Sequence, residues 1–294
     1  MQAFHWIIEH EFARHAMIAG AAMATLCSLL SVIVVLKRMA FIGEGLSHAG
    51  FGGIGTAVFL GLMGLNQDLL VLAFCIAMAV VIGLLTRRRQ LQPDSAIGIV
   101  LVAAMAWGIF MSDLRRNVQG EAWYVHWFGR PQAPPNLESL LFGSLVSIGR
   151  SDVYLAIIVT AVVLLLLGLF FKEIVFFCFD EEVSRVYGVR TTLIHYLLLL
   201  ALAVTVVLTI RLAGFVLVSA MLVIPGATAL LVSRRLGPAL LLSWAIGLFG
   251  TVAGILLSLE LGDISSGACV VGTLCLLFAI VYAGQSVLRR MHTS

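Results

Sequence analysis

Nine apolar runs, each long enough to cross a lipid bilayer as a helix, leave this chain few alternatives. They occupy residues 16–36, 40–65, 69–86, 95–112, 153–171, 192–210, 213–233, 238–259 and 266–288. About 18 such residues span the hydrocarbon layer, and a helix there satisfies its backbone hydrogen bonds without water. The sequence predicts an all-α, polytopic integral membrane protein with about nine transmembrane helices. Composition agrees, with 61% hydrophobic and 11% charged residues, where globular domains carry roughly 25% charge.

Lys and Arg fall unevenly about these runs. With the N-terminus outside, the inner loops and C-terminal tail collect twelve of them, Lys37, Arg38, Arg87, Arg88, Arg89 and Lys172 included, and the outer side keeps six. The excess predicts an outer N-terminus and an inner C-terminus, which requires an odd number of spans. The net charge of +3 then reflects topology rather than a nucleic-acid surface. No cleavable signal is expected, because residues 1–15 carry Glu9 and Glu11 and lead into a full-length span. The five cysteines (Cys27, Cys75, Cys178, Cys269 and Cys275) form no C-x-x-C pair and read as small buried hydrophobes.

The longest break between runs, residues 113–152, contains W-Y-V-H-W-F-G-R-P-Q-A-P-P. Its aromatics suit the outer interface, with His126 among them, and Pro131, Pro134 and Pro135 exclude a regular helix. On the inner side, F-D-E-E-V-S-R-V-Y-G-V-R occupies residues 179–190. Asp180, Glu181 and Glu182 suit a helix start and Gly188 its end, so a short amphipathic helix is expected at about residues 180–189. In the seventh run, Pro225 and Gly226 should kink or break the helix.

The second run carries Glu44 and His48, one turn apart on one helix face. Ionisable groups within a span are costly and mark function, and oxygen and nitrogen donors on one face make half of a metal site. A homodimer would bring two of each residue, four ligands in all. Gly43, Gly45, Gly50, Gly52, Gly53 and Gly55 of this run also allow tight helix packing without any transport role. Two other Glu/His pairs, His5 with Glu9 and Glu11 with His15, read as a solvated interfacial helix. Glu260 and Asp263 read as solvated outer charge, Arg211 as a snorkelling or paired cation, and His195 has no assigned role.

Four segments carry a resemblance. R-M-A-F-I-G-E-G-L-S-H-A (38–49) follows a pattern near R-M-x-x-x-G-D-x-L-x-H-A, and D-E-E-V-S-R-V-Y-G-V (180–189) is an acidic cytoplasmic helix. G-F-V-L-V-S-A-M-L-V-I-P-G-A-T-A (214–229) follows V-G-x-L-L-x-x-x-L-L-I-I-P-A-A-T-A, and S-S-G-A-C-V-V stands at 265–271. In this order they resemble the permease subunits of the ABC importers for zinc, manganese and iron(II), the ABC-3 family. Two residues depart from the pattern: Glu44 replaces Asp, and Gly226 replaces Ala.

The resemblance implies a transmembrane permease domain over residues 16–290, with an outer segment 1–15 and a cytoplasmic tail 291–294, in a bacterial plasma membrane. It implies ATP-driven import of a zinc, manganese or iron(II) ion past Glu44 and His48. Asp180, Glu181, Glu182, Val186, Tyr187 and Gly188 would couple to the ATPase, and Pro225 with Gly226 is the expected gating point. The partners implied are a second permease, usually identical, two cytoplasmic ATPases and an extracytoplasmic metal-binding protein. No permanently bound cofactor and no catalytic residue is expected, since the sequence has no G-x-x-x-x-G-K-[ST] phosphate loop. A metal-chelate permease is the alternative. An intramembrane metalloenzyme fits less well, because Glu44-x-x-x-His48 lacks the second histidine of H-E-x-x-H.

Overall fold

The computed structural model describes residues 11–62, 64–87, 91–118, 148–261 and 264–293; for Arg87 and residues 287–293 the backbone alone is described. His5, Glu9, His126, Pro131, Pro134, Pro135 and Asp263 lie outside these residues. Ten helices and no strand occur among them: α1 (Glu11–Leu36), α2 (Ile42–Phe59), α3 (Leu65–Arg87), α4 (Pro93–Val118), α5 (Arg150–Leu169), α6 (Phe171–Phe179), α7 (Glu181–Val186), α8 (Thr191–Val232), α9 (Leu236–Leu261) and α10 (Ser266–Thr293). Seven of the ten, α1, α3, α4, α5, α8, α9 and α10, are long and apolar enough to cross a membrane. Large apolar side chains such as Leu165, Leu169, Leu241, Phe249, Leu276 and Ile280 are exposed, which suits lipid and not water. The chain is a multi-pass membrane protein.

The boundaries differ from the apolar runs where backbone geometry overrides hydropathy. The second run begins at residue 40, yet α2 begins at Ile42. Arg38 takes a left-handed conformation (φ 55°), and the Arg38 and Met39 N–H groups donate to the Val35 and Val34 carbonyls at 3.1 and 3.0 Å. That hydrogen-bond pattern closes the C-terminus of α1 and turns the chain. α2 carries Glu44, His48 and six glycines in eighteen residues, and it is not among the seven.

α8 is 42 residues long, about twice what one crossing needs at 1.5 Å per residue. It consists of two helical runs that meet at Gly214 (φ 80°, ψ 172°), a conformation that only glycine adopts readily. This corrects the expectation for the seventh run. The backbone stays helical through Pro225 and Gly226, and the interruption at Gly214 stands beside the boundary between the sixth and seventh apolar runs.

The chain forms two compact units. One holds α1, α5, α6, α7, α9, α10 and residues 191–194 and 208–232 of α8. Within it α1 is central: its Ser28 carbonyl accepts from Ser243 Oγ of α9 at 2.6 Å, and its Ala22 carbonyl from Thr160 Oγ1 of α5 at 3.4 Å. Arg150 pairs with Glu11 at 2.8 Å and Arg211 with Asp152 at 2.9 Å. The other unit holds α2, α3, α4 and residues 195–207 of α8. There α2 lies backbone to backbone on α4, so that a Cβ on Gly55 would stand 2.5 Å from the Gly108 carbonyl oxygen. Arg115 of α4 donates from Nη1 to the Val58 carbonyl at the end of α2.

Candidate functional site

Glu44 is the third residue of α2, whose N-cap, Phe41, offers no side-chain hydrogen bond. The unsatisfied N–H groups and positive dipole end of the first turn favour a carboxylate there. One turn on, His48 Nε2–H donates to Glu44 Oε1 at 2.9 Å. The His48 and Glu44 side chains are 21% and 43% exposed, so the pair stands at the margin of its unit and not deep within it. The O···N separation is close to the edge of about 3 Å between neighbouring ligands on an ion with bonds of about 2.1 Å. A cation can therefore replace the shared proton with little side-chain movement. Among the described residues no group of three or more His, Cys, Asp or Glu converges on one point; Glu44 and His48 stand as a pair.

α7 is a six-residue helix with its own closure at both ends. Asp180 Oδ1 accepts from the Glu182 and Val183 N–H groups at 2.9 and 3.0 Å, which caps the start. Gly188 (φ 83°) follows its end, where the Val189 N–H donates to the Ser184 carbonyl at 3.0 Å. Glu181 stands between Arg185 at 3.5 Å and Lys37 at 3.7 Å. Val186 and Tyr187 are 85% and 75% exposed, while the Tyr187 ring meets Phe176 edge-on with centroids 5.7 Å apart. The element thus presents an apolar tip beside an acidic first turn.

Pro225 and Gly226 lie within the second run of α8. Proline cannot donate to the carbonyl four residues back. The next N–H, on Gly226, donates to Ser31 Oγ of α1 at 2.8 Å. A Cβ on Gly226 would lie 2.5 Å from the Ser31 carbonyl carbon and 2.6 Å from its oxygen. Gly226 therefore sits where two helix backbones touch.

A family model described as the ABC 3 transport family matches residues 9–285 of the sequence. The chain belongs to the ABC 3 transport family. Its relatives in that family include the manganese transport system membrane protein MntC of Halalkalibacterium halodurans, 29% identical over 279 residues, which cover 95% of this chain and 89% of that protein. Another is the manganese transport system membrane protein MntB of a Synechocystis species, 30% identical over 287 residues, or 96% of this chain and 86% of the relative. Among solved structures, PsaBC from Streptococcus pneumoniae in complex with Fab superposes with a TM-score of 0.77 at 24% identity, covering 96% of this chain and 94% of that one. At that identity the likeness is one of fold.

Two residues with structural parts in these sites escape a reading by motif. Ser31 is a fully buried serine inside the first apolar run, and the signal for it is the Ser28/Ser31 pair at helical spacing on one face. Lys37 reads in sequence as one more inner-side charge. Its Nζ instead donates to the Phe177 carbonyl at 3.1 Å and lies 3.4 Å from the Phe177 ring centroid. Burial holds its pKa below the ordinary lysine value, and the Glu181 carboxylate partly offsets that.

Proposed function

We propose that this chain is the membrane permease of an ATP-driven importer for a divalent transition-metal ion, with Glu44 and His48 on the path of the ion. The observation that carries the reading is the hydrogen-bonded Glu44/His48 pair at the start of a glycine-rich helix in a chain of the ABC 3 transport family. Carboxylate and imidazole suit manganese, iron(II) and zinc. Manganese comes first because the MntC and MntB relatives are named for it. A second copy of the chain completes four Glu/His ligands, two cytoplasmic ATPases supply the energy, and an extracytoplasmic protein delivers the ion.

In this reading α2 and both runs of α8 cross the membrane with the other six helices, giving nine crossings, an outer N-terminus and an inner C-terminus. The permease region covers residues 16–290. The tip of α7, with Asp180, Glu181, Glu182, Val186, Tyr187 and Gly188, meets the ATPase. The contact of Pro225 and Gly226 with Ser31 rearranges as the pathway opens and closes. The test is reconstitution of the chain in sealed vesicles with and without its ATPase. Uptake of manganese that needs both the ATPase and ATP supports the proposal, and uptake by the permease alone at the same rate refutes it.

A further inference from the structure

We infer that Lys37 is a positioning residue that fastens the ATPase-facing element α6–α7 to the corner between α1 and α2, and so passes displacement of α7 into the helix that carries Glu44 in its first turn. The inference rests on the permease reading above. One ammonium group holds three partners within a five-residue stretch: the Phe177 carbonyl at 3.1 Å, the Phe177 ring at 3.4 Å and Glu181 Oε2 at 3.7 Å. The Phe177 carbonyl is in the last turn of α6, where helix carbonyls lack intrahelical donors. Phe177 is 1% exposed and the Lys37 side chain 17% exposed. A lysine kept only to orient a span has its ammonium in the headgroup layer; this one is directed into protein.

The other end of the link is equally constrained. Lys37 immediately follows α1, and Arg38 after it holds φ 55° without being glycine, a conformation that persists only where its surroundings impose it. Glu44 lies seven residues beyond Lys37. A shift of α7 therefore reaches the helix that carries Glu44 through one short piece of chain. α7 does not need Lys37 for its own integrity, since Asp180 caps it and Arg185 remains beside Glu181. Removing the ammonium should unhook the link while leaving both helices formed.

The experiment compares wild type, Lys37→Met, Lys37→Arg and Phe177→Leu in the complete transporter, with manganese uptake and ATP hydrolysis measured on the same vesicles. Lys37→Met should assemble and hydrolyse ATP while metal moved per ATP falls by about tenfold, as expected for losing a charged hydrogen bond. Lys37→Arg keeps a cation over the ring and a donor to the carbonyl, and should recover most of that ratio. Phe177→Leu, which deletes the ring and keeps the backbone carbonyl, should lie between them, and it carries the test if Lys37→Met fails to assemble. A wild-type ratio of metal to ATP in both Lys37→Met and Phe177→Leu overturns the inference, as does Lys37→Arg failing as completely as Lys37→Met. A wild-type complex that moves no metal overturns the permease reading instead.

Discussion

Replacing Gly226 by alanine should loosen the contact between α8 and α1 by an amount the geometry bounds. The added methyl would meet the Ser31 carbonyl carbon at 2.5 Å and its carbonyl oxygen and Oγ at 2.6 Å. Ordinary carbon contacts lie at about 3.5–4.0 Å, so the helices must separate by roughly 1 Å. Two of the three obstructing atoms are backbone and cannot rotate away. Overpacking of this kind costs about 1–3 kcal/mol, and the Gly226 N–H···Ser31 Oγ bond lengthens with it, a further loss of about 1 kcal/mol. The better helix propensity of alanine returns up to about 1 kcal/mol. The net expectation is a destabilisation of about 1–3 kcal/mol. The buried thiols Cys27 and Cys75 provide the assay, because a thiol-reactive fluorophore reports their exposure as the purified protein is heated. Gly272→Ala, where a methyl meets nothing within 4 Å, is the control and should leave the midpoint unchanged or raised. The double variant Ser31→Ala with Gly226→Ala removes only Oγ and should not be rescued. A Gly226→Ala midpoint equal to wild type, or full rescue by Ser31→Ala, would refute the backbone-contact argument.

Three further outcomes follow from the same structure. Glu44→Asp shortens the arm by one methylene and should weaken uptake less than Glu44→Gln, because the carboxylate and its favourable place in the first turn of α2 remain; equal loss in both would tie the role to reach and not to charge. Tyr187→Asp puts a charge on the exposed apolar tip of α7 and should lower ATPase binding at unchanged membrane insertion, read by co-purification. Burial pushes the Cys178 thiol up to about 11, so the thiolate is present mainly above that pH and falls about tenfold for each pH unit below it. Alkylation of Cys178 should still be rising at pH 10, and a plateau near pH 9 would contradict its burial beside Lys37.

The helices were legible because long apolar runs in lipid have one common solution, and α1, α5, α9 and α10 overlap the runs that foretold them. Their ends were not legible. Met39, Ala40 and Phe41 are apolar and count toward a span, yet the left-handed Arg38 turns the chain there, so Glu44 stands in a first turn and not mid-helix. Hydropathy cannot register a single dihedral angle. In α8 proline suggested a kink or break at residue 225, whereas Ser31 takes the Gly226 N–H and the backbone remains helical; the interruption at Gly214 lies beside the gap between the sixth and seventh apolar runs, where hydropathy did mark it. At residue 226, where the family pattern has alanine, a Cβ here would press on the Ser31 backbone. For the site, the spacing of Glu44 and His48 correctly places the two side chains in contact. The long-range partners of Lys37, 140 and 144 residues away, leave no local trace in the sequence.

The most direct test of the central claim is ATP-dependent manganese uptake by vesicles containing the permease with its ATPase, measured for wild type, Glu44→Gln and His48→Ala at equal, verified levels of assembled complex. Loss of either donor from a two-donor half-site should lower uptake by at least about tenfold, the value of one charged or metal-directed interaction. Both variants should show that loss with assembly intact. Wild-type uptake in both would contradict it.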